Sequence, residues 1–131
     1  MSRKFMMAGA VLAVAASLTG TAFGGADDYS FEPVKAEVKK GSDVTLTVRL
    51  VHKPTRKPVS DAVIFSPQID MSPEGMATMT SLATAVPATE PGTYSFKTNL
   101  VMAGRWLLSV SAKVQGEQET VTGKITFTAA E

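Results

Sequence analysis

The chain has 131 residues, no cysteine, 13 basic and 12 acidic side chains, and a formal net charge of +1. This excludes a disulfide scaffold and thiolate metal or redox chemistry, and the near balance of charge argues against nucleic acid as a partner. Beyond its N-terminal segment the chain is long enough for one domain with one core and too short for two.

The first element is a leader. Arg3 and Lys4 precede an uncharged apolar run over 5–18, and small residues follow over 19–26. A charged start, an apolar centre and a small-residue zone are the parts of a secretory signal peptide. A helix over the apolar run would reach about 21 Å, short of a hydrocarbon core of ~30 Å, and it has no polar face for burial against a soluble domain. No stable membrane span is therefore expected after cleavage. Small residues allow a cut after Ala22, Gly24 or Ala26, and a cut after Ala26 is preferred, giving a signal peptide over 1–26 and a domain over 27–131. Loss of Arg3 and Lys4 lowers the basic count from 13 to 11 against 12 acids, a net charge of −1, and four of the seven methionines remain.

Period-two alternation follows, with no helical periodicity. Val44, Leu46, Val48 and Leu50 alternate with Thr45, Thr47 and Arg49; Tyr94, Phe96 and Leu100 repeat the pattern, as do Trp106, Leu108, Val110 and Ala112, and then Val121, Ile125 and Phe127. One face is packed and the other wet. Turn residues at Gly41, Pro54, Ser72 to Gly75, Pro91 and Gly92, Gly104 and Gly116 separate the runs. The predicted strands are 29–38, 43–52, 61–71, 76–86, 92–100, 105–114 and 119–128. Seven short strands in about 100 residues predict an all-β, immunoglobulin-like sandwich of antiparallel strands, with a barrel as the alternative.

Enzymatic chemistry has little to work with. His52 is the only histidine, no serine lies in a G-x-S-x-G turn, and the carboxylates are scattered singly. A triad would have to recruit His52, which reads more simply as a solvated residue at a strand end.

One segment stands out, Asp70 to Met79. Ser72, Pro73, Glu74 and Gly75 suit a type I turn, which would place Met71 and Met76 opposite each other with Cβ atoms roughly 5 Å apart. Met79 lies three residues beyond Met76 and in a regular strand faces the other side. Thioethers are soft ligands that select Cu(I) over Zn(II), so Met71, Met76, Met79 and Met102 are candidate Cu(I) ligands, with His52 or the face of Trp106 as possible aid. The competing reading is packing: Val63, Phe65, Ile69 and Met71 share parity, so Met71 can simply fill the end of the core. Trp106 begins an inward stripe and reads as core.

Four segments together carry a resemblance: Lys57-Pro58-Val59-Ser60-Asp61-Ala62-Val63, the hairpin Asp70 to Met76, Glu90-Pro91-Gly92-Thr93-Tyr94-Ser95-Phe96, and Met102-Ala103-Gly104-Arg105-Trp106. In these the chain resembles the FixH/YtkA-like family of exported bacterial domains over about 29–128. The Met-bearing hairpin followed by M-A-G-x-W is the more distinctive combination, because P-V-x-D-A and P-G-x-Y recur wherever immunoglobulin-like modules turn. The resemblance implies a periplasmic, non-enzymatic accessory domain tied to copper handling, beside oxidase assembly or a heavy-metal efflux system. Its expected partner is then a periplasmic adaptor or metal-transport protein. A short cleavable leader departs from the membrane-anchored FixH pattern and favours a soluble companion of efflux or copper trafficking. The alternative is a metal-free protein-interaction module of the cell envelope.

Overall fold

The structure is a computed structural model that describes residues 25–131. Apart from Gly25 and Ala26, the expected leader, including Ala22 and Gly24, lies outside the described residues. The strands are β1 (Tyr29–Pro33), β2 (Glu37–Lys39), β3 (Gly41–His52), β4 (Lys57–Pro58), β5 (Val63–Met71), β6 (Met76–Ser81), β7 (Ala83–Val86), β8 (Thr93–Leu100), β9 (Gly104–Lys113) and β10 (Val121–Ala130). One sheet has the order β1-β3-β8-β7, with β4 paired to β3; the other has the order β2-β10-β9-β5-β6. Packed face to face, they form the expected immunoglobulin-like sandwich. No helix among the described residues is long and apolar enough to cross a membrane.

Two of the seven predicted strands are each divided between the sheets. The 29–38 run becomes β1 in one sheet and β2 in the other. Pro33, which has no amide hydrogen for a ladder, ends β1. β2 then pairs parallel with β10 through Glu37↔Thr128, Val38↔Ala129 and Lys39↔Ala130, whereas the other strand pairs among the described residues are antiparallel. The 76–86 run likewise becomes β6 and β7, with Leu82 at the corner, 87% exposed.

A bulge in β5 corrects the expected parity. Phe65 pairs with Ser111 and Gln68 with Ser109, so β5 carries one residue more than β9 over this stretch. Ser66, just before Pro67, takes φ 54. The extra residue reverses the alternation. Ile69 and Met71 are buried, whereas Val63 and Phe65 turn outward, 64% and 38% exposed.

The main core gathers Leu46 and Val48 of β3, Phe96 and Leu100 of β8, Trp106, Leu108 and Val110 of β9, and Ile125, Phe127 and Ala129 of β10, with Ile69 and Met71. Each fully buried large side chain contributes about 1.5–3 kcal/mol. A smaller cluster of Leu50, Ala112, Val114 and Val121 closes the other end.

Candidate functional site

The methionine hairpin forms as its turn residues dictate. Ser72–Glu74 make one 3-10 turn, Gly75 takes the left-handed conformation at φ 77, and its N–H donates to Ser72 O at 2.9 Å. The Asp70 carboxylate accepts from the Ser72 N–H at 2.8 Å and fixes the turn's entry. Met71 and Met76 are register partners, as the turn type requires. The next pair is Asp70↔Thr80, so Ala77, Thr78 and Met79 are looped out of the ladder. The regular-strand rule that sends Met79 to the opposite face therefore does not apply. Met79 is half-buried and packs against the main core, and so does Met102 from the turn between β8 and β9.

Contacts with the start of β9 hold the hairpin in place. The Arg105 backbone N–H donates to Glu74 Oε2 at 2.9 Å, its Nε donates to the same oxygen at 3.0 Å, and its Nη2 donates to Pro73 O at 2.9 Å. These Arg105 hydrogen bonds hold the Glu74 carboxyl below its ordinary range. Trp106 Nε1–H donates to Met102 O at 3.1 Å. Gly104, at φ 135, lets the Met71 methyl approach closely: a Cβ at residue 104 would lie 2.8 Å from Met71 Cε.

All four candidate thioether residues thus lie at one end of the sandwich, at three depths. Met71 is 1% exposed and packs as a core residue, whereas Met76 is 37% exposed. Met79 and Met102 are half-buried between these limits. Trp106 is fully buried, so its ring is a wall of the core. Among the described residues no three His, Asp or Glu side chains group as a metal site. The methionine sulfurs share this end with the Asp70 and Glu74 carboxylates, which are engaged by the Ser72 N–H and by Arg105.

The other sequence candidate, His52, lies at the far end of β3 and cannot assist the methionines. Its Nδ1 shares a hydrogen bond with Thr55 Oγ1 at 2.8 Å, and its ring tilts against Tyr29 with centroids 5.1 Å apart. That end carries contacts that sequence reasoning missed. The Tyr94 hydroxyl donates to Val59 O at 2.6 Å and accepts from the Ala62 N–H at 3.1 Å. Gly92, at φ 81, lies directly against Pro58, where a side chain would collide with the proline ring and backbone. The P-V-x-D-A and P-G-x-Y segments are therefore two halves of one lock. Their joint presence was the available signal.

Fold and site together define an immunoglobulin-like domain with a thioether-lined end. A family model described as YtkA-like matches residues 24–111. The chain belongs to this family. No curated protein matches it in sequence. Two solved structures share part of its shape. The crystal structure of the Lin-41 filamin domain has a TM-score of 0.47 and 16% identity, over 80% of this chain and 94% of that one. The ZirS C-terminal domain has a TM-score of 0.46 and 14% identity, over 100% of this chain and 86% of that one.

Proposed function

We propose that the protein is an exported, periplasmic and non-enzymatic accessory domain that binds a soft metal, Cu(I) in the first instance, for an efflux or copper-trafficking partner. One observation carries this reading: Met102, distant in sequence, joins the three methionines of the hairpin at one end of the fold. Met76, Met79 and Met102 would supply the accessible sulfurs, with Met71 as the packed floor beneath them. A thioether set holds Cu(I) at a pH where imidazole ligands would protonate. The ring of His52, engaged by Thr55 and Tyr29, supports a structural role for that residue.

Titration of Cu(I) into the exported protein against a competing chelator tests the proposal. Replacing Met76, Met79 and Met102 together by leucine should weaken binding at least about tenfold, or ~1.4 kcal/mol. Equal affinities for the parent and the triple variant would end the metal reading.

A metal-free docking role has its own support. β6 covers only Ile69–Met71 of β5, so the stretch around Val63 and Phe65 has a free edge with outward apolar side chains. An open cleft of about 470 Å³ lies beside it, lined in part by Ile64, Val86 and Tyr94. Such edges accept an extended partner strand. Crosslinking in the native envelope from position 63 would retrieve a specific partner on this reading, and recovery of monomer alone would count against it.

A further inference from the structure

We propose that the leader is removed between Gly24 and Gly25, and that the α-ammonium released there becomes a clasp on Glu117 and Glu119. This rests on the export reading above and adds a maturation step to it. The Gly25 N–H already donates to Glu117 Oε1 at 3.0 Å, and the Ala26 N–H reaches Glu119 Oε1 at 3.4 Å. The second oxygen of Glu117 accepts from the Tyr29 hydroxyl at 2.8 Å. One carboxylate therefore ties residue 25 to β1 across the turn that joins β9 to β10.

The preferred cut after Ala26 would dismantle this arrangement. Ala26 and Tyr29 pack against the cluster of Leu50, Ala112, Val114 and Val121, and the Asp28 N–H donates to Gly25 O at 3.1 Å. Gly25 and Ala26 thus belong to the folded domain. The bond one step earlier satisfies the processing pattern equally well, because Ala22 and Gly24 are the small residues three and one positions before it. Gly25 itself takes φ 91 and ψ 177, a region open essentially to glycine alone, and a Cβ there would lie 3.5 Å from the Glu119 carboxylate.

The chemistry is a hydrolysis. Water adds across the Gly24–Gly25 peptide bond under a leader-removing endopeptidase of the envelope. The Gly24 carbonyl carbon takes the hydroxyl and leaves as a carboxylate, while the Gly25 nitrogen takes a hydrogen and is protonated near neutral pH. A neutral donor with one hydrogen becomes a cation with three, already 3.0 Å from a carboxylate oxygen, and charge-assisted hydrogen bonds are about twice as strong as neutral ones. Glu117 and Glu119 form no ion pair with a lysine or arginine among the described residues; the pairs found are Lys40–Glu131 and Arg105–Glu74. Asp27 and Asp28 add negative charge nearby. The precursor is consequently the less stable form, and the fold tightens once the leader is gone.

Intact mass and N-terminal sequencing of the protein recovered from the envelope should find Gly25 as the first residue. A start at Phe23 or Asp27 would overturn the clasp while leaving export intact, and a retained leader would overturn both. The protein matured in the cell is then compared before and after selective acetylation of its α-amine. Acetylation should raise the unfolding equilibrium constant about three- to fivefold, a change expected for losing a charge on a partly buried hydrogen bond. The same modification in a variant carrying both Glu117→Gln and Glu119→Gln should have a clearly smaller effect. An effect of equal size in both backgrounds, or none in the parent, would refute the proposal.

Discussion

At the end where β5 begins, the chain is closed by groups that cannot shift without carrying backbone along: Gly92 against the Pro58 ring, and the Tyr94 hydroxyl bridging Val59 O and the Ala62 N–H. At the end where β5 stops, closure relies on side chains with freedom to rearrange: the Met71 methyl over Gly104, half-buried Met79 and Met102, and an exposed ion pair between Glu74 and Arg105. The first end resembles a joint, the second a packed but adjustable surface. The division follows from side-chain chemistry, because methionine adapts to irregular space where proline and tyrosine do not.

Substitutions can break this contrast, and the largest effect should come from the wall the adjustable end leans on. Trp106→Ala removes a fully buried ring and should cost about 3–5 kcal/mol, read as a lower urea midpoint. Next, Gly92→Ala meets both a positive φ of 81 and the Pro58 ring and backbone, so about 2–4 kcal/mol is expected. Gly104→Ala also sits at a positive φ, 135, but its nearest obstacle is the mobile Met71 methyl. It should cost less than Gly92→Ala in the same unfolding assay, and the reverse order would erase the distinction between the ends. Smaller again, Tyr94→Phe should lose about 1–2 kcal/mol through its two hydrogen bonds. Met71→Leu keeps the volume and should cost under about 1.5 kcal/mol, showing whether the buried thioether matters beyond its size when Cu(I) binding is compared in parallel.

Much of this contrast was legible in the residues. Alternation identified the core stripes of β3, β8, β9 and β10, and the Ser-Pro-Glu-Gly turn identified the Met71 and Met76 pairing, because both follow from local chain geometry. Three features were not legible, each because a non-local contact overrides a local pattern. The bulge at Ser66 and Pro67 inverts the parity of Val63 and Phe65. The passage of two runs from one sheet to the other turns seven expected strands into nine, and the short β4 adds a tenth. The looping-out of Ala77 to Met79 brings a third methionine onto the core. Pro67, directly after Ser66, was the one local hint of the first. The gathering of Met102 with the hairpin needed the tertiary fold, since some 25 residues separate it from Met76 and only β9 brings them to one end.

The smallest expected effect concerns pH and sharpens the difference between a fixed and an adjustable end. In the folded protein, Arg105's side-chain and backbone hydrogen bonds hold the Glu74 carboxyl below its ordinary value of 4.5. A carboxyl with a depressed folded pKa contributes stability that is present above the unfolded value and is lost as pH falls through the folded one. Unfolding midpoints measured from neutral to acid pH should therefore decline for the parent below about 4.5, and Glu74→Gln should lack this part of the decline. Because the pair is solvent-exposed, the difference should be slight and should shrink further in added salt. At the opposite end, burial first and then Glu117 push the Tyr29 hydroxyl up to about 12. A raised folded value means stability that is full below the tyrosine's ordinary 10.0 and lost as pH climbs toward 12. Acid should therefore loosen the methionine end through Glu74, and strong base the opposite end through Tyr29. Parallel profiles for the parent, Glu74→Gln and Tyr29→Phe would mean that neither contact responds to pH in its own window.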